Sequence, residues 1–188
     1  ELHQSGARYF RIGRQPDLFT YHSIENGEDI PEPNPDAIEK LYKGIRDVAP
    51  DLQVLHMDNV NPATIARYPE KSRDIINTII KYHTPGDVCA LGMESADPDV
   101  IAANNLKATH DEVFEAIKII NESGSKCGLN GLPELLPGLN FVYGLKGETK
   151  KTFKLNYEFL QKILDSELLI RRINLRQVIT FPGTPIYG

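Results

Sequence analysis

A change of hydrophobic period, repeated along the chain, constrains the fold more than any other feature of this sequence. Short apolar runs of strand length alternate with longer stretches whose apolar residues recur every three or four positions. The strand-like runs are residues 7–13, 52–57, 88–93, 139–145 and 173–180. The run 88–93 is almost continuously apolar, the pattern of a strand buried on both faces. Residues 36–48 place Ile38, Leu41, Ile45 and Val48 on one helical stripe and stop before Pro50. Residues 70–82 do the same with Ile75, Ile76, Ile79 and Ile80, broken by Pro85-Gly86. Asp97-Pro98 opens a short helix. Thr109 and Glu112 form the capping-box signature of another, with Val113, Ala116, Ile117 and Ile120 on its face and Gly124 as its stop. A long helix over 148–164 presents Phe153, Tyr157, Leu160 and Leu164, and residues 127–137 read as an irregular insertion. Strands joined by helices in this way are parallel, with right-handed crossovers, in an α/β layer or barrel. In such folds ligands gather at the carboxyl ends of the strands.

With 188 residues the chain is long enough for one domain with a real core, taken here as 1–188. Its net charge of −5 argues against a strongly basic nucleic-acid-binding module. No apolar run approaches the ~20 residues of a membrane span. The two cysteines, Cys89 and Cys127, are far apart and flanked by apolar or small residues. They make no Cys-x-x-Cys pair and suggest no disulfide framework, so each is expected to be a small buried hydrophobe in a reducing, cytoplasmic protein.

The strand ends carry Gly13-Arg14-Gln15-Pro16, His56-Met57-Asp58-Asn59, Gly92-Met93-Glu94-Ser95, Tyr143-Gly144-Leu145-Lys146 and Thr180-Phe181-Pro182-Gly183. Polar, Gly-rich turns that recur on one face let side chains converge. They are also what any β/α protein needs at its corners.

Three stretches, in order, carry a family resemblance. The first is Ala90-Leu91-Gly92-Met93-Glu94-Ser95, followed by Asn104-Asn105-Leu106-Lys107 and Thr109. The second is Tyr143-Gly144-Leu145-Lys146-Gly147-Glu148-Thr149, and the third is Phe181-Pro182-Gly183-Thr184-Pro185-Ile186-Tyr187. Together they resemble radical S-adenosylmethionine (SAM) enzymes, in the branch of methylthiotransferases and Elongator-type proteins. Phe10-Arg11-Ile12-Gly13 and Leu136-Pro137-Gly138-Leu139-Asn140 look most like uncharacterised radical SAM iron–sulfur oxidoreductases.

The resemblance implies a partial (β/α)6 TIM-like barrel of mainly parallel strands, of which strands two to six are present. It implies reductive cleavage of SAM at a 4Fe–4S cluster, starting radical chemistry on a substrate that is an RNA or a small molecule, with flavodoxin or ferredoxin as reductant. The cluster loop, Cys-x3-Cys-x2-Cys, is absent from this sequence and is expected upstream of Glu1, so no metal ligand is assigned here and the chain alone is expected to be inactive. Carried over by motif, Gly13 and Arg14 stand where backbone meets the SAM amino group. Glu94 and Ser95 stand near the ribose or methionine end, and Lys107 near the carboxylate. Val142 and Gly144 flank adenine, with Asn140 in place of the family's first Gly, and Phe181 and Pro182 lie beside it. His56 and Asp58 are candidates for proton transfer to substrate, and Tyr143 for substrate binding or hydrogen-atom donation. A non-redox barrel enzyme using Asp58, Glu94 and Glu148 as acids and bases, and a non-catalytic binding domain, are the alternative readings.

Overall fold

The computed structural model describes residues 1–183. Along the chain run β1 (Tyr9–Ile12), α1 (Pro35–Val48), β2 (Val54–Met57), β3 (Asn59–Val60), α2 (Pro62–Arg67), α3 (Pro69–Tyr82), β4 (Asp87–Glu94), α4 (Pro98–Ala103), α5 (His110–Gly124), β5 (Leu135–Tyr143), α6 (Lys150–Asp165) and β6 (Arg172–Gln177). Local chemistry sets most of the helix starts. Asn34, Asn61, Asp97, Thr109 and Thr149 each accept a backbone N–H at an N-cap, and Pro35, Pro62 and Pro98 sit in the first turn, where no donor is needed. The capping box of Thr109 and Glu112 forms as the sequence predicts, and Thr149 with Thr152 makes a second one at α6.

All strand pairs are parallel: β1 with β2, and β3, β4, β5 and β6 in that order. Only Asp58 separates β2 from β3, and its carbonyl accepts from the Ala90 N–H at 3.2 Å. One strand path therefore pairs with β1 in its first half and with β4 in its second. Strands adjacent in space are adjacent in sequence, and right-handed crossovers then send the helices to one face. That face is apolar. Cys89, Leu91 and Met93 of β4 and Leu135, Leu139 and Phe141 of β5 join Ile75, Ile76 and Ile79 of α3 and Val113, Ile117 and Ile120 of α5 in one core. Each such buried side chain contributes roughly 1.5–3 kcal/mol. Strand alternation sends Arg11, His56, Asp58, Ala90, Gly92, Gly138, Asn140, Arg172, Asn174 and Arg176 to the other face.

The sheet is not a closed barrel. Among the described residues β1 and β6 are both free edges, because five strand paths do not wrap far enough for the edges to meet. The array is nevertheless curved, since Arg11 of β1 and Arg172 and Arg176 of β6 line one groove.

Four expectations need correction. The strand expected at 139–145 begins at Leu135, because a proline and a glycine fall inside it. The Pro137 carbonyl accepts from the Arg171 N–H just before the ladder with β6 begins, so the donor that proline lacks faces a stretch with no strand pairing. Gly124 ends α5 for reasons of space: a Cβ there would lie 2.0 Å from the Leu135 carbonyl oxygen. Cys127 is exposed, on the turn closed by its bridge to Pro133, and only Cys89 is a buried hydrophobe. The buried face of α6 is Thr152, Asn156, Phe159 and Ile163; Phe153, Tyr157 and Leu164 are exposed. The short β3 and α2 were not expected at all. The residues Thr184, Pro185, Ile186 and Tyr187 of the third family motif lie outside the described residues.

Candidate functional site

The carboxyl end of β4, the strand with neighbours on both sides at the middle of the sheet, departs from regular geometry. Gly92 pairs with Asn140 and Glu94 with Phe141, so Met93 is an extra residue and the strand bulges. Glu94 then takes φ +48, a left-handed conformation that is uncommon outside glycine. Its carboxylate folds back over Gly92, where a Cβ would come within 2.5 Å of Oε1. Among the described residues no donor or cation meets this carboxylate, and burial pushes its pKa up to about 7.

The turn that follows is held from α6. Asn156 Oδ1 accepts from the Ala96 N–H at 2.7 Å, and the Thr152 hydroxyl donates to Asp97 Oδ2 at 2.7 Å. The Ser95 hydroxyl accepts from the Asp97 N–H at 3.1 Å. Strain at one residue persists when its surroundings over-determine it, and such residues cluster at functional sites. A second clamp ties the family motifs together: the Asn104 side chain accepts from the Lys146 N–H at 3.2 Å and donates to the Lys146 carbonyl at 2.8 Å. The Asn104–Lys107 stretch and the 143–149 turn thus meet in space.

On the polar face of the sheet lies a groove of about 570 Å³, whose lining includes Asn140, the pairing partner of Gly92. Asp58 stands in it with Arg11 Nη1 at 3.9 Å. Gly13 lies so close to Asp58 that a Cβ would meet Oδ2 at 3.2 Å, and Arg14 follows with φ +69. Asn174 Nδ2 donates to Asn140 Oδ1 at 2.8 Å, and Asn140 Nδ2 to the Leu91 carbonyl at 3.4 Å, an amide chain across three strands.

The remaining predicted residues are scattered. His56 lies low on the polar face: Nε2 is 3.1 Å from the Thr84 carbonyl and Nδ1 3.9 Å from Asp87. It joins a cluster at the amino ends of the strands, where His83 lies 3.2 Å from Asp87 and 3.1 Å from Glu134, and where Asp87 also accepts from the Met57 N–H. Conservative packing chemistry belongs at that end of a β/α fold. Ser95 is buried and occupied by its own turn. Lys107 is exposed and acts on Asp17, whose carboxyl burial pushes up and the Lys107 charge, with hydrogen bonds from Thr64 and Phe19, pulls back. Tyr143 stands on the helix face, stacked on Phe153 with ring centroids 5.1 Å apart. Val142 is half-buried on the groove face and pairs with Arg176. Gly144 has φ +88, and its N–H donates to Glu148 Oε2 at 2.7 Å, so Glu148 is engaged in closing the 144–148 turn. Phe181 and Pro182 are exposed beyond β6. The sequence reading passed over Arg11, Arg172, Asn174 and Arg176. The signal was the strict alternation Arg172-Ile173-Asn174-Leu175-Arg176, which puts three polar side chains on one face of a strand.

Neither cysteine fits an iron–sulfur cluster. Cys89 is fully buried on the helix face, where burial pushes its thiol well above the ordinary range, Cys127 is exposed elsewhere, and among the described residues no group of three His, Cys, Asp or Glu is arranged to hold a metal ion.

No protein-family model matches the chain. It is 52% identical over 185 residues to an uncharacterised protein of Archaeoglobus fulgidus, covering 98% of this chain and 35% of the relative. An uncharacterised protein of Methanocaldococcus jannaschii is 53% identical over 186 residues, again 98% of this chain and 34% of the relative. The chain thus spans about a third of the length of these curated relatives. Among solved structures, coproporphyrinogen III oxidase from Escherichia coli, described as a radical SAM enzyme, matches with a TM-score of 0.54 and 17% identity, over 79% of this chain and 30% of that one. The likeness is one of fold: mixed α/β with parallel strands. No helix among the described residues is long and apolar enough to cross a membrane.

Proposed function

We propose that this chain supplies most of the SAM-binding sheet of a longer radical SAM enzyme, with Glu94 as a ligand of the SAM ribose. The observation that carries the reading is Glu94 itself: strained, without a partner, and with a carboxyl raised to about 7, at the carboxyl end of the middle strand. It stands within the Gly92-Met93-Glu94-Ser95 stretch that resembles the family, and the fold is shared with a radical SAM enzyme. A carboxylate accepts hydrogen bonds from both ribose hydroxyls. The cluster that supplies the electron for reductive SAM cleavage does not fit the cysteines of this chain, and its ligands are assigned to the remainder of the longer protein.

The test uses the full-length protein, reconstituted anaerobically with iron and sulfide and given SAM and dithionite, with 5′-deoxyadenosine as the readout. Product is expected from the full-length protein and none from the 188-residue chain alone. Glu94→Gln is expected to weaken SAM binding roughly ten-fold, since a hydrogen bond to a charged group is worth about 1.5–3 kcal/mol. Wild-type affinity is expected to rise as pH passes upward through about 7, where Glu94 becomes the better acceptor, and the variant to lose that dependence. A folded, cluster-loaded full-length protein that makes no 5′-deoxyadenosine would falsify the proposal.

A further inference from the structure

We infer that the groove on the polar face of the sheet is the substrate compartment of this site, built for a small molecule bearing a carboxylate or phosphate group; the inference rests on the radical SAM reading for the chemistry done there. Its volume of about 570 Å³ lies within the range of small-molecule pockets, roughly 300–1,000 Å³.

Its charge runs against that of the protein. The chain carries a net −5, yet Arg11, Arg172 and Arg176 face this groove, with Asp58 beside Arg11. Elsewhere Arg8 is engaged with Asp51, Arg67 with Asp29 and Glu112, Arg73 with Glu70 and Glu122, and Arg46 with three backbone carbonyls, while Arg14 and Arg171 lie outside the groove. Among the described residues Arg172 and Arg176 meet no carboxylate. Two guanidinium groups that face a polar groove and meet no carboxylate themselves present the donor fork that carboxylates and phosphates fit.

The floor is shaped for them. Gly138 pairs with Arg172, and a Cβ at Gly138 would come within 2.7 Å of Val88 Cγ1, 3.2 Å of Arg172 Cγ and 3.3 Å of its Nε. The missing side chain lets Arg172 lie across the sheet. Between the two arginines, Asn174 holds Asn140 and so fixes both amides in the groove wall. Arg172 lies level with Gly138 and Ala90, two strand positions below Asn140 and Gly92, and so deeper than Glu94. Arg176 lies level with Val142, one position beyond the Phe141 partner of Glu94, so the two arginines flank the level of Glu94 along the strands.

The experiment uses the full-length protein without SAM or reductant. Pyrophosphate and succinate are the probes, and sodium chloride at matched ionic strength is the control. Arginine labelling by phenylglyoxal, mapped by mass spectrometry, is read together with calorimetric titration. Protection of Arg172 and Arg176 by pyrophosphate or succinate, but not by chloride, is expected, and the stronger of the two probes separates a phosphate from a carboxylate site. Arg172→Gln and Arg176→Gln are expected to weaken the probe at least ten-fold. Equal protection by chloride, titrations that neither arginine variant alters, or binding of a single-stranded RNA homopolymer with no binding of either small probe, each overturns the inference. The two readings fail separately: 5′-deoxyadenosine formed by a protein that binds neither probe removes this inference alone, and probe binding by a protein that never cleaves SAM removes the chemistry but leaves the anion site.

Discussion

At Glu94 a sequence motif and a backbone anomaly coincide. The position was legible from the Gly92-Met93-Glu94-Ser95 stretch; its left-handed φ was not. Nothing in the residue type announces it, because the strain is maintained by Asn156 and Thr152, which contact Ala96 and Asp97 across 60 and 55 positions of sequence. The raised carboxyl makes a stability prediction with a definite sign. Folded Glu94 holds its proton up to about pH 7, while the ordinary value is 4.5. Between those values the native state binds more protons than the unfolded one, so stability falls as pH rises through the window and the penalty persists above it. Glu94→Gln removes the penalty. The variant should match wild type near pH 4.5 and exceed it at pH 8 by on the order of 1–3 kcal/mol, the lower figures allowing for partial exposure. Urea unfolding at the two pH values measures this, and equal stability at pH 8 would show that burial does not raise the Glu94 pKa. His56, read from the sequence as a strand-end residue that could face substrate, has its ring 3.1 Å from the Thr84 carbonyl and 3.9 Å from Asp87.

Elements were more legible than faces. The strands and long helices appear close to where hydrophobic period places them, apart from the early start of β5. The face of α6 was misjudged because two of its buried residues, Thr152 and Asn156, are polar and are buried to hold the turn after β4 rather than to fill the core. An apolar-period reading assigns the interior to Phe153, Tyr157 and Leu164, which the structure leaves exposed. This gives Asn156 a double part. Asn156→Ala leaves the buried Ala96 N–H without an acceptor, which costs about 1–3 kcal/mol, and it also frees the turn that strains Glu94. Expected together are a lower urea midpoint and weaker SAM binding by the full-length protein. Loss of stability with unchanged SAM affinity would reduce Asn156 to a structural residue.

The whole molecule has two unfinished margins. At one, the unpaired edge of β1 and the flank of α1 border a groove of about 1750 Å³. At the other, Ile173 and Leu175 of β6 stand exposed. Free strand edges and apolar patches of this kind recruit partners or aggregate. Since the relatives are about three times as long, the remainder of the longer protein is expected to cover them. The 188-residue chain alone should bind a hydrophobic dye strongly and the full-length protein weakly; equal dye binding would mean that these margins stay open. The parallel sheet was legible in the sequence, since strand–helix alternation fixes it, whereas closure was not, because it depends on strands the alternation does not count. The sequential strand order also bears on synthesis. Each strand pairs with the one made just before it, so the sheet can be laid down as the chain leaves the ribosome. The turn carrying Glu94 is the exception. Its two braces on α6 are translated some sixty residues after it, so the ladder from β3 to β5 can exist before the strained geometry locks.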